Sequence, residues 1–247
     1  MTGNAGPVPD DEEVESQRQP DPPSRPALTV PTSGPGPHRR CTSLLIMVAT
    51  RFGFTLPAWV SDEIADVPEV LPTLEDRMRL VHTLAGRNFL EGNGGPFAAI
   101  VVERDSGRLV SVGVNVVLAS GISSGHAEVV ALGLAQAGVG TWDLGGEGLP
   151  AHELVVNWRH CVQCYGATLW SGVRSLVVAG DGPELEQLTG FDEGPMVADW
   201  RDQFRARGID VTTDVLRREA VATWQAYADH VADTGATVYN ARGAGAV

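Results

Sequence analysis

The sequence predicts an α/β fold of three layers, with a central mixed sheet between helices on both faces. Three observations carry this. From Thr73 onward helical and extended patterns alternate, in the order α-β-β-α-β-α-β-α-β-α, which argues for one sheet covered by helices. The first two extended segments are joined by a short polar turn at 105–107, which makes a hairpin, so the sheet contains an antiparallel pair. Hydrophobic residues make up 43% and charged residues 20% of the 247 positions, a balance that can bury one large core.

Each element has a local reason. Residues 1–46 are rich in Pro, Gly, Ser and acid and cannot bury enough apolar surface to offset chain entropy, so a disordered or non-native leader is expected there, with one domain over 47–247. Thr73 and Asp76 read as a variant capping box before Met78, Val81, Leu84 and Ala85 at helical spacing, a first helix ending near Asn88. Glycines 92, 94 and 95 with Pro96 break it, and 97–102 and 109–117 follow as the two hairpin strands. Residues 127–137 read as helix, 153–156 as a short strand, 161–170 as helix and 175–179 as strand. Residues 199–207 and 215–233 are further helices with a strand at 209–212 between them, and 237–240 is an extended tail.

Charge and cysteine usage narrow the function. A net charge of −13 weighs against a partner held through many phosphates, so nucleic acid is disfavoured and a small neutral molecule fits better. All 18 basic residues are Arg, which removes Schiff-base and phosphate-loop lysines. The three cysteines, Cys41, Cys161 and Cys164, make no disulfide framework for a chain of this size, and a cytoplasmic location follows as an expectation. The apolar run at 44–49 is too short to span a bilayer, so no membrane association is expected.

The residues that carry chemistry are His126 and Glu128 at the start of one helix and Cys161 and Cys164 at the start of another. Positions i and i+3 share a helix face, so both cysteines can address one ion, and a helix N-terminus favours their thiolate forms. Two thiolates and an imidazole leave one position of a tetrahedral zinc open, the arrangement in which a bound water ionises near neutral pH and acts as nucleophile. Glu128, a carboxylate beside that water, can take its proton and deliver it to a ring nitrogen and a leaving amine. A lone C-x-x-C is equally a redox pair or half a structural zinc site, but H-x-E together with C-x-x-C is the signature of zinc deaminases.

On these motifs the sequence resembles the cytidine and deoxycytidylate deaminase superfamily, and within it the guanine deaminase-like nucleoside deaminases. The resemblance spans 74–239 and includes GGPFAA from Gly94, Asn115 in VGVN, GHAEVVAL from Gly125, CVQCYGATLWSGV from Cys161 and GFDEGP from Gly190. It implies a cytidine deaminase-like fold, zinc held by His126, Cys161 and Cys164, and proton transfer by Glu128. It implies too that Asn115 hydrogen-bonds the base and that Phe97 and Trp170 line its pocket. Ala127 is counted with the substrate contacts, as is Asp192, one of the acidic pair after Phe191 that could read an exocyclic amino group. In guanine deaminases the C-terminal tail can cross to a partner subunit and close the site; the matching aromatic is Tyr239, and a homodimer is expected.

The family usually has Pro immediately before the first cysteine, whereas this sequence has Arg159-His160. The change alters the turn but removes no ligand. His160 adjoins Cys161 and would have to displace His126 to bind metal, so a supporting role is expected, and Arg159 is expected to be solvated or paired with an acid. Hydrolytic deamination of a free base or nucleoside, guanine first, is the leading function. Adenosine deamination in transfer RNA and a catalytically inactive zinc-stabilised binding protein are the alternatives; the acidic balance opposes the former, and retention of Glu128 opposes the latter.

Overall fold

The structure, a computed structural model, describes residues 49–240. The expected leader, its boundary at 46/47 and Cys41 lie outside the described residues. Along the chain the elements are α1 (Ala58–Ile64), α2 (Leu74–Leu90), β1 (Ala98–Glu103), β2 (Leu109–Val114), α3 (Val117–Ser120), α4 (Ala127–Val139) and β3 (His152–Val156). They continue with α5 (Val162–Trp170), β4 (Ser175–Val178), α6 (Glu184–Thr189), α7 (Trp200–Ala206), β5 (Asp210–Thr212) and α8 (Arg217–Thr234).

Helix α2 starts where the capping pattern places it. Thr73 ends an extended segment, and its side-chain oxygen accepts the Asp76 N–H at 3.1 Å while its hydroxyl donates to the Asp76 carboxylate at 2.7 Å. One of the four unpaired N–H groups of the first turn is thereby satisfied. Met78, Val81, Leu84, Ala85 and Asn88 then recur on the buried face. Helix α1 was not expected. It has seven residues, too few to display a period, and is held by burial of Trp59 and Val60 and by the Arg87 guanidinium, which lies 4.9 Å from the Trp59 ring centre and binds Glu63 at 2.6 Å. The short helices α3 and α6 escaped sequence reading for the same reason of length.

The five strands form one mixed sheet in the order β2-β1-β3-β4-β5. Strand β1 pairs antiparallel with β2 and β3, placing Ile100 opposite Val112 and Val155, whereas β3, β4 and β5 run parallel. Successive side chains alternate between faces. Ile100, Val102, Val155 and Val177 pack on the side of α2 and α8; Ala99, Val101, Leu154, Leu176 and Val178 pack on the side of α4 and α7. The expected three layers are present. Among the described residues no helix is long and apolar enough to cross a membrane.

The second hairpin strand stops at Val114, not at residue 117. The Asn115 side-chain oxygen accepts the Val117 N–H at 3.1 Å, and this local bond competes with the sheet ladder and turns the chain into α3. Close to this point Gly113 permits an unusually near approach of helix to sheet. A Cβ there would lie 2.3 Å from the Ala127 carbonyl oxygen and 2.5 Å from the Ala131 nitrogen, so the absence of a side chain lets the first turn of α4 press against β2.

Between α2 and β3 a buried ion pair crosses the core edge. Arg77 donates to Glu153 at 2.7 Å and to the carbonyls of Leu71 and Arg104, and Glu153 also accepts the Ser175 hydroxyl at 2.7 Å. Removing one partner strands the other charge, whereas removing both leaves an apolar gap that can repack. Arg77→Met alone is therefore expected to lower unfolding free energy by about 3 to 5 kcal/mol. The double variant Arg77→Met with Glu153→Leu is expected to regain most of that loss, as read by denaturant unfolding.

Candidate active site

The two helix starts singled out in the sequence meet at one end of the sheet. His126 is the N-cap of α4 and Cys161 the N-cap of α5, both in extended backbone, and α5 follows directly on the loop after β3. The Cys161 sulfur accepts the Cys164 N–H at 3.5 Å, as a capping side chain does, which aims it along the helix axis. Cys164 lies one turn on and is fully buried.

The Nδ1 of His126 lies 3.4 Å from the Cys161 sulfur and 3.5 Å from the Cys164 sulfur, and all three donor atoms fall within 4.8 Å of one another. Zinc–nitrogen and zinc–sulfur bonds of about 2.0 and 2.3 Å at a tetrahedral angle give a nitrogen–sulfur separation of roughly 3.5 Å. The donor set and its spacing therefore fit a tetrahedral zinc ion with one position unfilled by protein. The electrostatics agree. A hydrogen bond from Cys164, opposed by burial and reinforced by His126, pulls the Cys161 thiol down to about 5, whereas burial and the Cys161 sulfur push Cys164 up. Burial would lower His126, but the hydrogen bond and charge of Cys161 together with the charges of Glu128 and Glu193 raise it.

Glu128 stands beside this cluster in the first turn of α4 and is buried. Burial alone would raise its carboxyl, but the hydrogen bond and charge of His160 hold it at about 2. His160 Nδ1 is 3.0 Å from Glu128 Oε1, and its Nε2 is 3.1 Å from the Thr168 hydroxyl. Glu193, also buried, is pushed up to about 8 by burial and then by the charges of Cys161 and Glu128. A cation among the three donors would act in the opposite direction.

A cavity of about 630 Å³ opens onto His126, Glu128 and Cys161. Its walls include Phe97, Asn115, Trp158, Phe191, Glu193 and Tyr239. The Phe97 and Phe191 rings meet edge to face with centres 5.2 Å apart, and Tyr239 tilts on Phe191 at 4.9 Å. The segment that carries Phe97 is fixed by two buried amides. Asn88 donates to the carbonyls of Gly95 and Asn115, both at 2.8 Å, and Asn157 donates to the Pro96 carbonyl at 2.8 Å while accepting the Ala98 N–H.

Residues 72–180 match the cytidine and deoxycytidylate deaminase zinc-binding region. A solved structure of guanine deaminase from Nitrosomonas europaea is 44% identical, superposes with a TM-score of 0.69 and covers 74% of this chain and 98% of its own. The structure of a mutant protein in complex with 8-azaguanine is 45% identical, with a TM-score of 0.68 and coverage of 73% and 98%. Guanine deaminase of Bacillus subtilis (strain 168) is 30% identical over 111 residues, which are 45% of this chain and 66% of that relative. The chain belongs to the cytidine and deoxycytidylate deaminase family. It is thus a zinc-binding deaminase homologue, and its His126, Cys161 and Cys164 present donors suited to the ion that gives the family region its name.

In this deaminase homologue most of the residues picked from the sequence come together at the cavity: His126, Glu128, Cys161, Asn115, Phe97, Asp192 and Tyr239. Trp170 does not. It sits at the far end of α5, 80% exposed and away from the cavity walls, because an offset of six positions from Cys164 carries it nearly two turns along the helix. The Ala127 side chain is fully buried against the sheet and is not among the cavity walls. Asp192 borders the cavity but is exposed, and its carboxylate accepts the Gly194 N–H at 2.9 Å, a turn-stabilising bond. Of the acidic pair Glu193 is the buried member. Tyr239 folds over the cavity of its own chain, where Asn240 accepts the Asp192 N–H at 3.0 Å and donates to the Gly190 carbonyl at 2.9 Å. Arg159 lies 3.2 Å from the Asp181 carboxylate, the acid pairing expected of it.

Sequence reading missed Asn88, Asn157, Trp158 and Phe191 as builders of the site. Asn88 did carry a signal, an amide on the apolar face of α2 one turn after Leu84. The donor geometry predicts about one zinc per chain by elemental analysis. Cys161, Cys164 and His126 must all be free of protons to bind it, so zinc is expected to be retained at pH 7 and lost progressively to a weak chelator as the pH of dialysis is lowered.

Proposed function

We propose that this chain is a zinc-dependent hydrolase that deaminates a free nucleobase, guanine first, with His126, Cys161 and Cys164 as zinc ligands and Glu128 as the proton carrier. The observation that carries the reading is a buried, ionised carboxylate outside the donor triad yet next to it, at the wall of a cavity large enough for a purine. A structural zinc site has no use for such a group. Zinc at the triad supplies a Lewis acid that brings a water to ionisation near neutral pH.

Glu128 takes a proton from the attacking water and holds it on a carboxylate oxygen. It delivers that proton to the ring nitrogen beside the amino-bearing carbon, and then a second proton transfer lets the amine leave as ammonia. Water is consumed, a C–N bond breaks and a carbonyl replaces it. Phe97 and Phe191 provide an apolar wall for a flat ring, and Asn115 supplies an amide at its edge. Glu193, with an accepting oxygen in either protonation state, is better placed than Asp192 to receive an exocyclic amino group. Tyr239 closes the outer side.

Support for guanine comes from the relatives: two are named guanine deaminases, and solved neighbours hold 8-azaguanine and 2,6-diaminopurine. The charge of −13 supports a free base over an RNA. We also propose a cytoplasmic homodimer. The exposed Trp170 ring on α5 is apolar surface available to a second copy, and light scattering on the zinc-loaded protein reads the mass.

The zinc-loaded protein is expected to release ammonia from guanine faster than from adenine, cytosine, guanosine or cytidine. Glu128→Gln is expected to lower kcat by about 10² to 10⁴ with zinc content unchanged, because proton transfer of this kind contributes that factor. A Glu128→Gln enzyme as fast as the parent, or a parent inert on the whole panel, overturns the reading.

A further inference from the structure

We propose that His160 is a positioning residue for the proton carrier: its Nδ1–H holds one oxygen of Glu128, and the Thr168 hydroxyl at its Nε2 keeps the ring in that orientation. The inference rests on the function proposed above and adds a part that the family pattern lacks. The resemblance puts proline at this position, and a proline offers no side-chain donor. The hydrogen bond to the carboxylate is a property of this chain.

The geometry is specific. His160 is fully buried, with Nδ1 at 3.0 Å from Glu128 Oε1 and Nε2 at 3.1 Å from Thr168 Oγ1. Glu128 is acceptor-only when ionised, so Nδ1 must be the donor, and Nε2 meets the Thr168 hydroxyl, which can donate or accept. Thr168 is itself fixed on α5, where its carbonyl accepts the Ser171 hydroxyl at 2.8 Å. The imidazole also packs edge to face with Phe204 of α7, with ring centres 6.0 Å apart. Helix α5 and the residues leading into it therefore meet the start of α4 twice, through the two cysteines at His126 and through Thr168 and His160 at Glu128.

The consequence is orientational. A carboxylate rotates readily about its terminal torsion. With Oε1 held by His160, the second oxygen is left to exchange protons, in a position set by the protein before substrate binds.

Steady-state kinetics on guanine, zinc content and thermal midpoint are to be compared for the parent, His160→Leu and His160→Asn. The Asn amide nitrogen stands close to where Nδ1 stands and can donate to the same oxygen, while Leu cannot. His160→Leu is expected to lose about 10- to 100-fold in kcat, the usual scale for a partner that orients an active group, with KM little changed and zinc near one per chain. His160→Asn is expected to recover most of that loss, which a purely space-filling role does not produce. Parent-like kcat in His160→Leu, or Asn no better than Leu, overturns the proposal. Should His160→Leu fail to fold, ¹⁵N-histidine NMR of the parent decides: a proton on Nδ1 supports the pairing, and a proton on Nε2 alone refutes it. That spectrum reads the His160 pairing even if the parent proves inert on guanine, so failure of the proposed function and failure of this inference are separable.

Discussion

The site depends on the near contact between α4 and β2 at Gly113, which sets where His126 and Glu128 stand relative to everything else. Helix α4 is seated on the sheet through its first turn. Helix α5 starts from the loop after β3, a strand two places away in the same sheet. Because both helix starts are referenced to one rigid sheet, their N-caps arrive at the same end of it, within bonding distance of a single ion. A side chain at residue 113 would force the helix outward, and a metal site tolerates only tenths of an ångström.

Burial gives the cluster its character. Two thiols, two carboxyls and two imidazoles crowd into one region with little solvent. Left alone, each would be driven to its neutral form. Two are countered by specific neighbours, Cys161 by the Cys164 thiol and His126, and Glu128 by His160, whereas Cys164 is pushed up. Glu193 has no such partner strong enough, and it is the carboxyl that is pushed upward. The arrangement leaves the carboxylate and one thiol charged where negative groups would otherwise repel, and so favours the arrival of a divalent cation.

The cavity walls depend on amides as much as on aromatic rings. In the loop bearing Phe97, Asn88 of α2 donates to the Gly95 carbonyl and Asn157, just after β3, donates to the Pro96 carbonyl. A buried carbonyl without a partner is costly, so these two side chains determine the path of the loop and the placing of the ring. Phe97, Phe191 and Tyr239 then continue from that fixed point as a chain of edge contacts to the C-terminal tail.

Much of this was legible in the residues themselves. The long helices, the hairpin and the two helix starts are local: hydrophobic period, capping groups and glycine breaks act within a few positions, and H-x-E with C-x-x-C names the donors by type and spacing. What residue order alone left open was decided at long range. The amide of Asn115 ended a strand that its valines would have continued, the register of α5 turned Trp170 to solvent, and packing buried Glu193 while leaving Asp192 exposed at the cavity. The meeting of His160 with Glu128, 32 positions apart, exists only once two helices share a sheet. Local chemistry can dictate which groups are present and what each can do. Which of them touch is set by how the layers pack, since contacts between distant segments are fixed by the shapes of whole elements and not by neighbours along the chain.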